Sequence, residues 1–285
     1  MKYMDSQLHL WNTDKLNYDW LALFPEINKP HTGDMYFEAS DNKNITGSIF
    51  VQADCDTDQA LSEVDWVNEV AEHNPNISLV GIVAWAPLHL GDKCLNYLKA
   101  LLEHKRVVGV RHSLQNSPIE MFYDEDYRKG VLVAARNGLV IDMCVRGYQL
   151  EALNDLLTWL FERYPEAHVV LSHCGKPNIK EAEFDSWLHS ITKIASFKNV
   201  FCKISGLPTE ADWINWKEEQ LIKYINEAVN IFSPQRCMYG SDWPVVNLAG
   251  GVNKWKKCVA MSINSLNDND KKSIWYETTQ RAYRV

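Results

Sequence analysis

The amino-acid sequence predicts a single-domain α/β protein over residues 1–285, a distorted (β/α)8 TIM barrel with a long loop after the first strand. Two observations favour this fold. Eight apolar runs recur along the chain, and several are nearly continuous in Val, Ile and Leu, which is typical of parallel strands buried on both faces. Segments with helical spacing of apolar residues lie between them. A doubly wound open sheet is the alternative, but nothing resembles a glycine-rich dinucleotide-binding loop.

The elements follow one another in a regular order after the first strand. The predicted strands cover 4–10, 48–53, 79–88, 107–114, 139–145, 168–173, 199–205 and 237–243. The predicted helices cover 57–72, 94–104, 125–137, 149–163, 183–196 and 216–232. The stretch 12–45 is polar, contains Pro25 and Pro30 and shows no clear helix, so we expect a functional or disordered loop there.

The composition excludes several classes of function. Hydrophobic residues make up 46% of the chain, but no apolar run approaches the roughly 20 residues that span a membrane. A net charge of −8 disfavours a nucleic-acid partner. The N-terminus has no signal-peptide pattern and the seven cysteines form no CxxC pair, so we expect a cytoplasmic protein with reduced thiols. Tryptophan is enriched at protein interfaces, so the eleven tryptophans are compatible with a homo-oligomer.

Polar residues at the carboxyl ends of the predicted strands are the candidates for a functional site, because (β/α)8 enzymes carry their active sites there. A charge at the end of an apolar strand is costly unless it is paired or used, and several such residues on consecutive strands favour an active site. Lys176 precedes a proline and is assigned to a turn or a solvated face, and Lys203 to an interior ion pair. The candidates are Gln7, His9, Gln52, Asp54, Trp85, Arg111, His112, Arg146, His173, Lys203, Glu210 and Asp242.

Seven motifs, in order and one per strand, resemble the amidohydrolase superfamily over nearly the whole chain. They are DSQLHLW, VQAD, GIVAWAPL, GVRHSL, LSHCGKP, CKISGL and GSDWPV. More narrowly, they are similar to the amidohydrolase 2 group of sugar-lactone hydrolases and dicarboxylate lactonases. The resemblance therefore implies a barrel hydrolase that acts through an activated water.

The resemblance also implies a set of site residues. Members of the family place an HxH pair on strand 1, a histidine on strand 5 or 6 and an aspartate on strand 8 around the hydrolytic water. These positions correspond to His9, His173 and Asp242, with Gln7 in place of the first histidine. Strand 4 ends in Arg111 and not in a lysine that could bridge two metals. The three remaining ligands could hold one zinc, or the site could work without metal, since glutamine is a poor ligand beside imidazole.

Each candidate then receives a role. Asp242 is the general base, and His173 and His9 polarise the carbonyl group or bind a metal. Arginine suits carboxylates and vicinal hydroxyls because its planar fork donates two parallel hydrogen bonds. The residues assigned to substrate binding are Arg111, His112, Arg146, Trp85, Trp20 and Gln7.

The expected activity is hydrolysis of a small sugar-derived lactone such as L-fucono- or L-rhamnonolactone. One alternative is a metal-dependent decarboxylase of a small unsaturated or aromatic acid, which two strand-end arginines would suit equally well. The other is a catalytically idle barrel that binds a sugar acid, which the replacement at Gln7 favours.

Overall fold

Eight parallel strands form the centre of the computed structural model, which describes residues 2–40 and 44–285. Each strand pairs with the next along the chain, so strand order equals sequence order. This confirms the predicted (β/α)8 barrel. The strands are β1 (Tyr3–Leu8), β2 (Ile45–Val51), β3 (Leu79–Trp85), β4 (Val107–Arg111), β5 (Val140–Met143), β6 (Val169–Leu171), β7 (Val200–Ile204) and β8 (Cys237–Tyr239).

Hydrogen bonds just beyond the strands link β8 back to β1. The amide of His9 donates to the carbonyl of Trp243 at 2.8 Å, and the amide of Asp242 donates to the carbonyl of Gln7 at 2.8 Å. These contacts place His9 and Asp242, which are far apart in sequence, on adjacent segments at the same end of the barrel.

The helices surround the strands, and those predicted from apolar spacing are confirmed with shifts at their ends. No helix in the described part of the chain is long and apolar enough to cross a membrane. The helices after β8 were not assigned from the sequence. The helices are α1 (Gly33–Ala39), α2 (Ala60–His73), α3 (Leu95–Leu102), α4 (Glu125–Arg136), α5 (Leu150–Arg163), α6 (Phe184–Ala195), α7 (Glu218–Phe232), α8 (Gly251–Ser262), α9 (Asp268–Lys272) and α10 (Thr278–Tyr283).

The prediction that 12–45 contains no helix is wrong. The segment holds α1 and a short 3-10 helix at Asp19–Leu23, while the part of the prediction on 41–43 lies outside the described residues. Two turns are too short for a helical period to emerge in the sequence. The hydroxyl of Tyr36 donates to the buried carboxylate of Asp5 at 2.6 Å, so a contact with β1 fixes α1.

Alternation along the strands separates two apolar cores. On β2, Phe50 packs outward in the large core shared with the helices, whereas Ile49 and Val51 belong to a smaller core inside the barrel. Ala282 and Tyr283 of α10 join this inner core, so the last helix closes the end of the barrel opposite the strand carboxyl ends.

A buried ion pair lies inside the barrel and confirms the role predicted for Lys203. Its Nζ atom is 2.6 Å from Asp142 Oδ2, and both side chains are fully buried. The hydroxyls of Ser172 and Tyr283 also donate to Asp142, at 2.7 and 2.9 Å. Burial alone would raise the pKa of Asp142, but the charges of Lys203 and Arg111 and the hydrogen bonds from Lys203 and Ser172 together outweigh burial and lower that pKa.

We expect Lys203→Met to destabilise the fold by about 3–5 kcal/mol, because it leaves the buried Asp142 carboxylate without its counter-charge. Urea unfolding followed by circular dichroism measures this. The matched control is Lys129→Met, whose pair with Glu125 at 2.7 Å is on the surface and should contribute less than about 1 kcal/mol. The double substitution Lys203→Met with Asp142→Leu should recover stability. Equal losses in the single and double variants would contradict the ion-pair explanation.

Candidate active site

A cavity of about 460 Å³ opens at the carboxyl ends of the strands, where the sequence predicts the site. It is lined by strand ends and by the loops that follow them. Eight of the residues predicted from the sequence reach its wall, so most of the candidates come together as expected. They are His9, Trp20, Asp54, Arg111, Arg146, His173, Glu210 and Asp242.

Three of these side chains form the floor of the cavity. The Nε2 atom of His9 lies 3.4 Å from Asp242 Oδ1, and the Nε2 atom of His173 lies 3.9 Å from the same oxygen. All three residues are at least 95% buried. The floor is therefore a compact group of two imidazoles and one carboxylate with its open side toward the cavity.

Hydrogen bonds fix the imidazole of His9 in one orientation. Its Nδ1 atom is 2.7 Å from the carbonyl oxygen of Val51, which can only accept, so Nδ1 carries a hydrogen. In the neutral ring, Nε2 then carries a lone pair and accepts a hydrogen from the Gln7 amide at 3.0 Å.

Gln7 lies beneath the floor and not on the cavity wall, so the prediction that it contacts substrate is not met. Its side chain is fully buried, and Lys203 Nζ donates to its Oε1 atom at 2.5 Å. Because the ammonium group can only donate, it fixes which end of the amide faces His9. The role of Gln7 is to connect the interior ion pair to that imidazole.

His173 follows β6 in a left-handed backbone conformation, with φ of 56°. Its Nδ1 atom contacts the hydroxyl of Ser205 at 2.9 Å. Gly206, also at positive φ (61°), lies against the ring, and a Cβ atom there would overlap Nδ1. Burial lowers the pKa of His173 to about 3, so the imidazole is neutral near pH 7.

Asp242 is held by its backbone and remains ionised. It too has positive φ (58°), and its amide is anchored on β1. Burial would raise its pKa, but in the acidic range where the carboxyl titrates, the positive charges of protonated His173 and His9 and of Lys176 together outweigh burial and lower that pKa below the usual aspartate value. A buried carboxylate that stays charged next to a neutral imidazole is suited to accept a proton.

Arg111 brings a positive charge to the inner wall. The Nη2 atom of its buried side chain donates to the carbonyl of Gln52 at 2.6 Å. Its Nε–H has no hydrogen-bond partner among the described residues. An unpaired buried donor is costly, and a ligand oxygen would satisfy it.

Lys176 also lines the cavity; it lies in a turn, as one of its two predicted placements has it, but the alternative of a solvated face is wrong. A left-handed residue (φ 46°) turns the chain so that the ammonium group lies 2.9 Å from Glu210 Oε1, with only 14% of the side chain exposed. Arg146 Nη1 is 3.9 Å from the other Glu210 oxygen. Lys176 lies three residues after His173, at the end of a strand, and this position was the sequence signal that could have placed it in the cavity.

Two predicted substrate contacts, His112 and Trp85, do not reach the cavity wall. Successive residues of a strand face opposite ways, so the inward side chain of Arg111 turns His112 outward, where its ring packs 5.6 Å from Tyr127. The Trp85 ring packs instead against Tyr97, with centroids 5.7 Å apart.

The predicted metal ligands His9, His173 and Asp242 do not fit a zinc ion as they stand. Within 2–40 and 44–285, no three His, Cys, Asp or Glu side chains form a group that could hold a metal ion. The lone pair of His9 Nε2, which would have to face an ion, accepts the Gln7 amide hydrogen. The chemistry below is therefore derived from the side chains.

Residues 4–285 match a family model described as amidohydrolase. The chain belongs to the amidohydrolase family. It is accordingly a hydrolase enzyme, and the resemblance stated from its motifs is confirmed over the whole chain.

Three similar proteins span its full length. An L-fucono-1,5-lactonase of Burkholderia multivorans is 28% identical, over 99% of this chain and 96% of that protein. An L-rhamnono-gamma-lactonase of Scheffersomyces stipitis is 22% identical, over 100% and 99% of the two chains. A solved amidohydrolase from Burkholderia multivorans with bound zinc has a TM-score of 0.87 at 27% identity, over 100% of both chains. Sugar-lactone hydrolysis is thus supported at the level of the family.

We expect Gly206→Ala to lower kcat/KM about 100-fold, because the added Cβ atom would push the His173 ring out of its position. Steady-state kinetics with a lactone that the wild-type enzyme hydrolyses measures this loss. The matched control is Gly138→Ala, which also has positive φ (82°) but no atom within 4 Å of the added carbon. Both variants carry a backbone cost of about 1–2 kcal/mol, and only the first should lose activity. Equal activities would contradict the role of Gly206.

Proposed function

We propose that this enzyme hydrolyses a small sugar-derived lactone, an aldonolactone such as L-fucono- or L-rhamnonolactone, by an activated water. The observation that carries the proposal is an ionised, buried Asp242 beside a neutral His173 on the floor of a cavity with cationic walls. The lactonase names of two relatives that span the chain support the substrate class.

Asp242 acts as the general base. A water at its carboxylate gives up a proton as its oxygen attacks the lactone carbonyl carbon, which forms a tetrahedral oxyanion. When the ring C–O bond breaks, the proton passes to the departing alkoxide, so that atoms and charge balance. The low pKa makes Asp242 a weak base in the first step, but the protonated carboxyl is then a strong acid toward the departing alkoxide.

Arg111 and Lys176 stabilise the oxyanion. Both are buried or nearly so, where a fixed charge acts more strongly than in water. The unpaired Nε–H of Arg111 supplies a donor that is already desolvated before substrate arrives. No reorganisation is then needed as the negative charge develops.

The ring hydroxyls bind along the wall formed by Arg146, Glu210 and Gln115. This wall contains both donors and acceptors, linked by Lys176 Nζ to Gln115 Oε1 at 2.7 Å and by Arg146 Nε to the Gln115 carbonyl at 3.1 Å. A hydroxyl both donates and accepts, so it suits such a mixed wall. Trp20 offers an apolar ring at the opposite side.

Cellular location and assembly are proposals that rest mainly on the sequence. All seven cysteines are free and buried, which supports a proposed location in the reducing cytoplasm. The homo-oligomer remains a prediction, and the proposed partner is a small lactone or sugar acid.

Two other functions have a specific observation in their favour. The charges of Arg111, Arg146 and Lys176 would suit the carboxylate of a small unsaturated or aromatic acid in a decarboxylase. Gln7 stands where the family has a histidine, and the loss of that imidazole would suit a barrel that binds a sugar acid without catalysis. A screen of aldonolactones and aromatic acids, read by pH drop and by release of CO₂, separates them. Acid release from a lactone without CO₂ is the expected result, CO₂ release would establish the decarboxylase, and binding without turnover the idle barrel.

Asp242→Asn should lower kcat by several orders of magnitude while ligand affinity changes little, because the amide keeps the shape but cannot accept the proton. Kinetics and calorimetry with the hydroxy-acid product measure the two effects. The control is the exposed Asp268→Asn, which should leave both unchanged. Activity retained in Asp242→Asn would contradict the assignment of Asp242 as the general base.

The pH profile should report the lowered pKa of Asp242. The base works only when ionised, so kcat/KM should stay level from about pH 7 down to 5 and fall only below the usual aspartate pKa of about 3.9. Initial rates with substrate at low concentration give the profile, and circular dichroism at each pH verifies folding. A midpoint near 6 to 7 would instead indicate a histidine base.

Metal dependence tests the role of Gln7, since a relative of this chain carries zinc. If the Gln7 amide occupies the lone pair of His9, prolonged dialysis against a chelator should leave kcat/KM unchanged. Gln7→His removes this hydrogen bond, adds an imidazole and should raise zinc content toward one ion per chain, measured by emission spectrometry. Loss of wild-type activity on chelation, with recovery on adding zinc, would contradict this assignment.

A further inference from the structure

The wall of the cavity has two chemically different halves. The loops after β4 to β7 contribute the charged and polar half described above. The loops after β1, β7 and β8 contribute an apolar half. We call it the apolar wall, and it consists of Trp20, Leu23, Phe24, Trp213, Val245 and Leu248.

The aromatic rings of the apolar wall form a continuous row across two loops. The centroids of Trp20 and Phe24 are 5.9 Å apart, and those of Phe24 and Trp213 are also 5.9 Å apart. Behind the row, Trp11 packs edge-on against Trp20 at 5.4 Å and is fully buried. The wall is therefore a supported surface and not a set of loose side chains.

The polar atoms of these rings are already used. Trp20 Nε1 donates to the carbonyl of Ala53 at 2.8 Å, and Trp213 Nε1 donates to the carbonyl of Thr209 at 2.8 Å. The rings thus present carbon faces and edges to the cavity and have no N–H left for a sugar hydroxyl. This half of the cavity cannot form hydrogen bonds to a ligand through its indoles.

The apolar wall also leaves carbon surface in water. Leu23 is 76% exposed and Trp213 is 39% exposed, although both line the cavity. Covering such surface with an apolar group is favourable in proportion to its area. The cavity volume of about 460 Å³ lies in the range of pockets that enclose drug-sized ligands, whereas an aldonolactone is one small ring.

We infer that the apolar wall is a subsite for an apolar substituent, an alkyl or aryl group larger than methyl, carried by the lactone on the ring carbon next to the ring oxygen. The inference rests on the proposed lactonase function and extends its substrate class to lactones with a larger apolar substituent than the aldonolactones named above. The lactone carbonyl lies over Asp242 and the polar half of the wall, while the substituent lies along Phe24 and Trp213 toward the mouth.

A homologous series of lactones of one ring size, with n-alkyl chains of increasing length at that carbon, tests the inference. The ratio of kcat/KM to that of the unsubstituted lactone should rise about three- to fourfold for each methylene that the wall covers. It should then level off as the chain reaches solvent. A flat or falling ratio would overturn the subsite.

Surface variants provide the matched comparison. Leu23→Ser removes exposed carbon from the wall with little effect on packing, and it should reduce the rise per methylene; Trp213→Ala should reduce it further. Ile214→Ser is the control, because Ile214 is 86% exposed and adjacent in sequence but does not line the cavity. An equal rise in all variants would contradict the role of the wall.

Product binding separates failure of the subsite from failure of the lactonase proposal. The ring-opened hydroxy acids of the same series bind without turnover, and calorimetry should show affinity that increases with chain length even if no lactone is hydrolysed. A flat affinity series overturns the inference whatever the activity. Concentration-dependent dimers that Leu23→Ser abolishes, measured by sedimentation, would assign the wall to a second copy of the chain and also overturn it.

Discussion

Lys203 carries a positive charge inside the barrel, and Asp142 lies 2.6 Å from it. The same ammonium group donates to Gln7, whose amide donates to His9. A chain of three hydrogen bonds thus runs from the interior ion pair to the floor of the cavity. The cost of burying two charges is offset by their attraction and by the additional donors to Asp142. The rigid floor of the site depends on this pair, since without it Gln7 would lose its orientation.

Left-handed backbone conformations determine which side chains reach the cavity. Asp54, His173, Lys176 and Asp242 all have positive φ, and all four line the cavity just beyond a strand. For residues other than glycine such conformations cost energy and concentrate at functional sites. The local strain is compensated by hydrogen bonds of the neighbouring strands. The loops of the site are therefore less stable than they would be in ordinary backbone conformations, but their charged side chains converge on the cavity.

The barrel follows from local patterns, and the resemblance to a family selected His9, His173 and Asp242, which the fold brings together, from the polar residues at the strand ends. An apolar run followed by a polar residue identifies His9 and Asp242 without any knowledge of their neighbours. Lys176 was expected in a turn or on a solvated face, because the sequence does not show that a left-handed turn directs this side chain into the cavity and against Glu210. His112 was placed in the site because a strand end does not by itself show which of two successive residues faces inward. The contact of Lys203 with Gln7 joins residues 196 positions apart, which only the folded chain brings together.

The hydroxyl of Tyr283 completes the coordination of Asp142 across 141 positions of sequence. During synthesis on a ribosome, β5 emerges long before α10 does. The full set of donors to Asp142 is therefore present only once the last helix has been synthesised. A chain that ended before α10 would lack the Tyr283 hydroxyl and also the apolar cover that Ala282 and Tyr283 give to the inner core.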